Sequence, residues 1–395
     1  MPTNYEYIQR LTTMKKSISI LVLCFSDLKR DPRVFRQLLA LSTEKKYKIY
    51  AAGWTDPELD SIEYIKLPIF YGTKLSKLTS AINLKLSNYE RHYWNNKNYN
   101  TAYQILKTYK FDLILANDID ALPLSVKIAS EHNAKLIYDA HEYTPREFEN
   151  NWKWRFFHQR YKTYLCKRYL PLTDAMITVC DGIAQEYNKH FNVNPVIITN
   201  APNYVNLSPD SVDDTKIKMI HHGGAMPSRK LELMIEVMKY LPQRFNLDFM
   251  LLGNSDYIKS LKNLAIDNSR IKFIDPVPMP KIATKLNEYD IGIYLLEDAS
   301  FNERFALPNK LFEFIQGRLM VAIGPSHEMS KYVHDYKLGI IADSFLPKAL
   351  AEQLNQLSSE EIYQFKINSH NAAQQLSFET NKQIIISLVE NILAN

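Results

Sequence analysis

The densest chemistry in the chain sits in two cationic segments. His221-His222-Gly223-Gly224-Ala225-Met226-Pro227-Ser228-Arg229-Lys230 follows an apolar, strand-like run and precedes a helical pattern. Gly223 and Gly224 permit close approach to the backbone, and Ser228 is a candidate N-cap. Free N–H groups at a helix start favour an anion. Arg229 can fork onto phosphate oxygens, and Lys230 adds a point charge. A tight turn with a solvated basic pair accounts for the same residues equally well. The second segment is Ala306-Leu307-Pro308-Asn309-Lys310-Leu311-Phe312-Glu313-Phe314. Pro308 suits a first helical turn, which puts Asn309 and Lys310 at its positive end. Lys310 and Glu313 are three apart and share a face. Such a pair could grip a phosphate and a ribose diol, or form a surface ion pair.

Three further segments are acidic or mixed. Tyr138-Asp139-Ala140-His141-Glu142 would deliver Asp139, His141 and Glu142 to a strand's carboxyl end. A histidine between two carboxylates there is a functional candidate. Asn117-Asp118-Ile119-Asp120 follows another strand. Its Asp-x-Asp spacing could hold a divalent metal, but Asp120 capping a helix from Ala121 is favoured. Asp31-Pro32-Arg33-Val34-Phe35-Arg36 follows the first strand without a glycine, so it is no dinucleotide fingerprint. It could contact an acceptor or cap a helix.

These segments need elements to position them. Apolar, β-rich runs at Ser17–Phe25, Lys48–Gly53, Tyr64–Leu67, Leu113–Ala116, Lys135–Tyr138, Ala175–Val179 and Val196–Thr199 alternate with helical spacing at Val34–Leu41, Thr101–Tyr109, Leu122–Glu131 and Gly182–His190. Asn200 through Asp214 is polar, with two prolines, and reads as a linker. The alternation then restarts, with strands at Ile217–His222, Phe249–Leu252, Ile271–Ile274, Ile291–Leu295, Met320–Ile323 and Leu338–Ile341. Helices are predicted at Lys230–Tyr240, Leu311–Gln316 and Lys348–Leu357. Such alternation predicts an α/β protein of two doubly wound parallel sheets facing across a cleft, with ligands at the strands' carboxyl ends. The expected domains are 1–205, with 1–13 as an extension, and 206–375. A C-terminal helix, 376–395, is expected to pack back on the first domain.

Composition narrows the class. The 395 residues exceed one comfortable core, and 46% apolar with 23% charged residues are globular values. No apolar run approaches the roughly 20 residues of a spanning helix. Met14-Lys15-Lys16 before Ser17–Phe25 imitates a signal peptide, but Ser26-Asp27-Leu28-Lys29-Arg30-Asp31 follows without a small-residue cleavage site. Cys24, Cys166 and Cys180 are scattered, which fits a reducing cytoplasm. Residues 1–200 carry 28 Lys and Arg against 20 Asp and Glu, and the remainder 20 against 23. The basic half suggests a negative partner. Basic, aromatic stretches at Lys74–Lys110 and Trp152–Tyr169 could lie on an anionic membrane face, or present a solvated basic face. Nucleic acid is a poorer partner, since the net charge is only +5 and no reading motif occurs.

Taken in order, the Asp31–Arg36 loop, Asn117–Asp120, Asp139–Glu142, Thr178-Val179-Cys180-Asp181, Asn200-Ala201-Pro202, Gly223–Lys230 and Leu307–Glu313 give the chain a recognisable pattern. It resembles the GT-B glycosyltransferases, specifically the retaining type of sequence family 4, over nearly its whole length. The resemblance implies two Rossmann-like domains, with a nucleoside diphosphate sugar held mainly by the C-terminal one. It assigns Arg229 and Lys230 to the diphosphate beside Gly223 and Gly224, Glu313 to the ribose, and His141 to the sugar ring. Pro276 and Val277 would meet the base. The family pattern of Glu, seven residues, Glu is broken, because Phe305 stands where the first Glu belongs and Glu303 comes two residues early. Lys310 would then serve the diphosphate, while Glu303 or Asn309 would carry the sugar contact beside Pro308.

The expected activity is transfer of a hexosyl unit from a nucleoside diphosphate sugar to an acceptor hydroxyl with retention, in surface polysaccharide or glycolipid synthesis. His141, Arg229 and Lys310 would be catalytic. Asp31, Arg33, Asn117, Asp118 and Glu142 would lie on the acceptor side. With cations at the diphosphate, no metal or other cofactor is expected. The glycan or lipid-linked acceptor would be met in the cytoplasm or at the inner membrane face. Two other readings stay open: a non-catalytic sugar-nucleotide-binding partner, motivated by Phe305, and another GT-B enzyme such as a nucleotide-sugar epimerase.

Overall fold

A computed structural model describes residues 17–394. The proposed extension 1–13 and the Met14-Lys15-Lys16 run lie outside the described residues. The chain divides into two compact units. The first takes the residues through Val179, together with Ala184–Ile198 and the residues from Lys382 on; the second takes Cys180–Ile183 and Thr199–Asn381.

The first unit is built on a seven-stranded, fully parallel sheet: β1 (Ile18–Leu23), β2 (Tyr47–Gly53), β3 (Ile62–Lys66), β4 (Leu113–Asn117), β5 (Lys135–Ala140), β6 (Ala175–Thr178) and β7 (Val196–Ile197). Their order is β3-β2-β1-β4-β5-β6-β7. Helices cover both faces of such a sheet, so its central strands read as unbroken apolar runs, and Ile20 through Leu23 and Leu113 through Ala116 are indeed wholly buried. The strand order reverses between β1 and β4. The connections leave in opposite directions there, and the opening at the carboxyl ends is where doubly wound sheets place ligands. The loops after β1, β4 and β5 meet at that opening.

The second unit repeats the plan with six parallel strands: β8 (Ile217–Ala225), β9 (Phe245–Gly253), β10 (Ile271–Ile274), β11 (Ile291–Tyr294), β12 (Met320–Ile323) and β13 (Gly339–Ile341), in the order β10-β9-β8-β11-β12-β13. Its reversal lies between β8 and β11. The carboxyl end of β8 carries Gly223 and Gly224, and the chain after β11 leads to Lys310. Residues 200–213 contain no helix or strand, as the linker composition predicts.

Local differences from the sequence pattern have identifiable causes. Strand β8 runs three residues further than its apolar core, through Gly223, Gly224 and Ala225, because β9 pairs with it to the end. The helix expected over Lys230–Tyr240 is only Glu232–Val237. Lys230 adopts a left-handed φ of 46°, which no helix interior accepts, so the helix cannot begin earlier. Ser228 is therefore not an N-cap; it lies within a short 3-10 turn, Pro227–Arg229. The helix after β4 starts at Asp118 rather than Ala121, which puts Asp120 in the first turn instead of the cap. Among the described residues no helix is long and apolar enough to cross a membrane.

Candidate functional site

In the first unit the constellation grows from a buried ion pair. Asp31 accepts the backbone N–H groups of Arg33 and Val34 and caps the helix Pro32–Ser42. The cap points Arg33 inward, where Nε and Nη2 each donate to Asp139 at 2.7 Å and Nη1 donates to the Ile198 carbonyl at 2.7 Å. Gln37, one turn on, also donates to Asp139. Asp139 is fully buried and Arg33 nearly so. The fork thus fixes the end of β5, whose next residues are Ala140 and His141. Sequence reasoning put Arg33 on the acceptor side; the structure gives its guanidinium to Asp139.

His141 is the partly exposed product of this scaffold. Its Nε2 lies 3.2 Å from Asn117 Oδ1. An amide oxygen only accepts, so Nε2 carries the proton. Nδ1 faces Asp118 Oδ2 at 3.4 Å. Asp118 itself has a φ of 62°, a strained corner between β4 and its helix. Removal from bulk water raises the Asp118 carboxyl above its ordinary range, Asp139 and Asp31 add to this, and His141 opposes it. Asp120 turns away and pairs with Lys162 at 3.0 Å. The two carboxylates of the Asp-x-Asp segment therefore take different partners. Tyr187 holds the following loop by donating to the Glu142 carbonyl at 3.0 Å, and the Glu142 side chain is exposed.

One residue escaped the sequence reading. Burial, helped by the charges of Glu142, Asp120 and Asp118, lifts the Glu147 carboxyl to about 7 against the pull of Lys162. No motif marks it; its place in the loop after β5 is the only sequence signal.

In the second unit the two cationic segments converge. Lys310, in the first turn of the helix Asn309–Gln316, is buried. Its Nζ lies 2.9 Å from His221 Nε2 and 3.9 Å from the centre of the Tyr294 ring. A side chain added at Gly223 would meet the Lys310 ammonium end at 3.7–3.9 Å, and one at Gly224 would meet Arg229 Nη1 at 3.7 Å. Both cations thus border the same stretch of side-chain-free backbone, where Gly223 takes a φ of 112°. The Arg229 backbone N–H donates to the Met226 carbonyl, but among the described residues the Arg229 guanidinium has no hydrogen-bond or ion-pair partner. Burial, then the nearby Arg229 charge, holds the Lys310 amine well below the usual lysine range. Glu313 opposes this shift and also places Oε2 3.5 Å from His222 Nε2. Burial and Lys310 push His222 down to about 3, so it is neutral.

The remaining predicted donor residues are less concentrated. Lys230 turns its ammonium to Glu297 in an ion pair rather than toward the glycines. Phe305 packs its ring 4.7 Å from Phe301 and 4.7 Å from His327, and it fills the space that a side chain at Gly182 would need. Glu303 accepts the Ser300 hydroxyl at 3.0 Å while its N–H donates to the same oxygen at 3.2 Å, an N-terminal cap on the helix Phe301–Arg304. Pro308 is the N-cap of the next helix, with Asn309 its first residue. Val277 is half-buried beside exposed Pro276 in the loop after β10.

Comparison with known proteins bears on the fold. Residues 46–208 match the model of Glycosyltransferase Family 4. No curated protein matches the chain. Among solved structures, HepE of Anabaena in complex with UDP-glucose is 15% identical, with a TM-score of 0.70 over 95% of this chain and 100% of that one. Sucrose-phosphate synthase of Thermosynechococcus elongatus is 12% identical, with a TM-score of 0.72 over 95% and 99%. WaaG, a glycosyltransferase involved in lipopolysaccharide biosynthesis, is 14% identical, with a TM-score of 0.61 over 93% and 99%. The chain is a GT-B-fold protein that resembles the Family 4 glycosyltransferases, in sequence pattern over residues 46–208 and in fold along nearly its whole length.

Proposed function

We propose that the protein transfers a hexosyl unit from a nucleoside diphosphate sugar to an acceptor hydroxyl, with retention, in surface polysaccharide or glycolipid synthesis. The observation that carries this reading is the pair of cations, Arg229 and Lys310, set against the Gly223–Gly224 backbone without a carboxylate bound to either among the described residues. Two like charges held this close are poised for an anion. Cleaving the sugar–phosphate bond loads negative charge onto the diphosphate, and fixed cations stabilise that charge as it develops. With them in place the reaction needs no metal, so turnover should survive EDTA. Loss of turnover restored by manganese would shift the charge-stabilising role to Asp118 and Asp120.

In this reading Glu313 takes the ribose, and His141 positions the sugar rather than activating water. The UDP-glucose held by HepE makes UDP the first nucleotide to try. A thermal-shift series across UDP, GDP, ADP and their sugars is the test, because a ligand bound only by the folded chain raises its melting temperature. Labelled donor then reports transfer, and the anomeric configuration of the product reports retention. A second reading, a non-catalytic sugar-nucleotide-binding partner, draws on Phe305, whose ring cannot accept a hydrogen bond from a sugar hydroxyl. Stabilisation by a nucleotide sugar with no turnover on any acceptor would favour it.

The acceptor in this proposal is lipid-linked and met at the inner membrane face. Leu75, Leu78, Ile82 and Leu86 follow the spacing of one helical stripe, and all four are exposed. Lys74, Lys77 and Lys85 flank them, and Trp152 and Phe156 are exposed on the neighbouring helical segment. An apolar stripe beside lysines suits an anionic bilayer surface. The protein should sediment with anionic vesicles at low salt and leave them at high salt; equal binding to neutral vesicles would overturn this part.

A further inference from the structure

The helix Lys74–Lys85 has a third face besides the apolar stripe and the lysines. Ser76, Thr79, Ser80 and Asn83 follow the i, i+3, i+4, i+7 pattern and form a polar stripe. That stripe is one wall of a pocket of about 520 Å³ in the first unit. The opposite wall comes from Asn95, Asn96 and Asn98, and Phe70 and Tyr71 lie at its edge.

Several of these groups are held in place by each other, which makes the walls definite. Asn98 Oδ1 accepts the Phe70 N–H at 2.7 Å, and its Nδ2 donates to the Phe70 carbonyl at 3.3 Å. Ser80 Oγ and His92 Nδ1 are 3.2 Å apart. Thr73 and Asn96 cap the starts of two helices, Lys74–Lys85 and Lys97–Leu106, so two positive helix ends border the pocket. Lys77 and Lys97 add full charges, and no acidic residue is among the described residues that line it.

Asn83 offers this wall an uncommitted polar group. The residue is 7% exposed and lines the pocket, and its side-chain amide makes no hydrogen bond among the described residues. The amide is still reached by solvent, so a ligand there takes the place of water. A hydroxyl-rich ligand offers both a donor and an acceptor to it.

We propose that this pocket binds an acidic saccharide, one whose hydroxyls meet Asn83, Ser76 and Thr79 and whose carboxylate or phosphate meets Lys77. The proposal rests on the transferase reading in one respect: it makes the saccharide the acceptor. Neutral sugars use the same hydroxyl contacts but leave the lysines and helix ends unanswered.

The test is calorimetric titration of the full chain with a glucuronic-acid-terminated disaccharide, with glucose 6-phosphate and with cellobiose. Both charged probes should bind at least tenfold more tightly than cellobiose. The stronger of the two names the anionic group. Lys77→Glu, a surface change, should weaken the charged probes at least tenfold and leave cellobiose and UDP binding unchanged. Asn83→Asp should act in the same direction. Amide hydrogen exchange over residues 70–98 should slow when the charged probe is added. Absence of saturable binding by both charged probes at millimolar concentration, or binding unchanged in both variants, overturns the proposal. UDP binding in the same samples separates the two readings. If UDP binds and the saccharides do not, the pocket assignment alone fails. If the saccharides bind and no nucleotide does, the pocket stands and the transferase reading fails.

Discussion

Lys310 Nζ donates to His221 Nε2 at 2.9 Å, while His221 Nδ1 donates to the Ile293 carbonyl at 3.0 Å. A carbonyl only accepts, so the proton sits on Nδ1 and the ring offers Nε2 as an acceptor. Burial, reinforced by Lys310, holds the imidazole far below its ordinary range and keeps it neutral. The lysine is thus aimed by a neutral group that does not cancel its charge. A carboxylate at the same place would neutralise the cation and compete with an incoming diphosphate.

This pairing predicts a pH dependence of nucleotide binding. In the free protein the Lys310 pKa is depressed, first by burial and then by Arg229. A bound diphosphate favours the protonated form and raises that pKa. Affinity is therefore highest below the depressed value and falls as pH rises through it, and binding at a pH near or above that value takes up a proton. Titration with UDP in two buffers of different ionisation enthalpy measures the uptake. Lys310→Met should weaken UDP binding and abolish the uptake; uptake unchanged in this variant would place the proton elsewhere.

Arg33 yields a prediction about support rather than contact. Its fork to Asp139 is buried on both sides. Breaking a buried pair by removing one partner costs about 3–5 kcal/mol, because the other charge is left unanswered. Arg33→Met should destabilise the chain by that order in urea. Arg33→Met with Asp139→Asn should recover part of the loss. If the single variant is as stable as the parent, the fork does not hold the end of β5.

How much of this was legible in the sequence depends on periodicity. The apolar run Ile18–Leu23 and the helical spacing of Val34–Leu41 are local patterns, and both elements formed where the patterns lie. The convergence of Gly223, Arg229 and Lys310 was legible too, because strand ends collect ligands in this topology. Three features were not. The left-handed turn at Lys230 is set by how β8 leads into its helix, and a lysine gives no sign of it. The partner of Arg33 is 106 residues away, beyond any local pattern. The raised carboxyl of Glu147 comes from enclosure by residues distant in the chain.

Glu147 gives a stability prediction whose sign can be worked out. Its carboxyl titrates near 7 when folded and near its ordinary 4.5 when unfolded. Between those values the folded chain binds the additional proton, so stability falls as pH rises across the window. The contribution is complete below about 4.5 and gone above about 7. Glu147→Gln should lack this decline. The difference in unfolding free energy between variant and parent, measured from pH 4.5 to 7.5, isolates it, because every other ionisable group is common to both proteins. A constant difference across that range would mean that Glu147 is not enclosed.

The final prediction concerns Phe305 and Glu303. The ring of Phe305 sits against Phe301, His327 and Gly182, so its place in this chain is apolar packing. Phe305→Ala should destabilise the second unit, though by less than the roughly 3–5 kcal/mol of a fully buried phenylalanine, since the ring is only half-buried. Phe305→Glu would put a carboxylate where the family pattern has one, but also into an apolar contact beside Gly182. It should lower stability without raising turnover. Glu303 answers a different question. Its carboxylate is engaged by Ser300, and glutamine can cap the same helix, so Glu303→Gln should leave stability nearly intact. If Glu303 also reaches the donor sugar, that variant loses turnover while its affinity for UDP is unchanged, because the lost contact is to the sugar alone. If Glu303→Gln keeps full turnover, Glu303 serves only the cap, and the sugar contact passes to Asn309 at the start of the Lys310 helix. Asn309→Ala should then show the split between turnover and UDP affinity that Glu303→Gln did not. Higher turnover in Phe305→Glu than in the parent would overturn the packing role and restore the family carboxylate as the missing group.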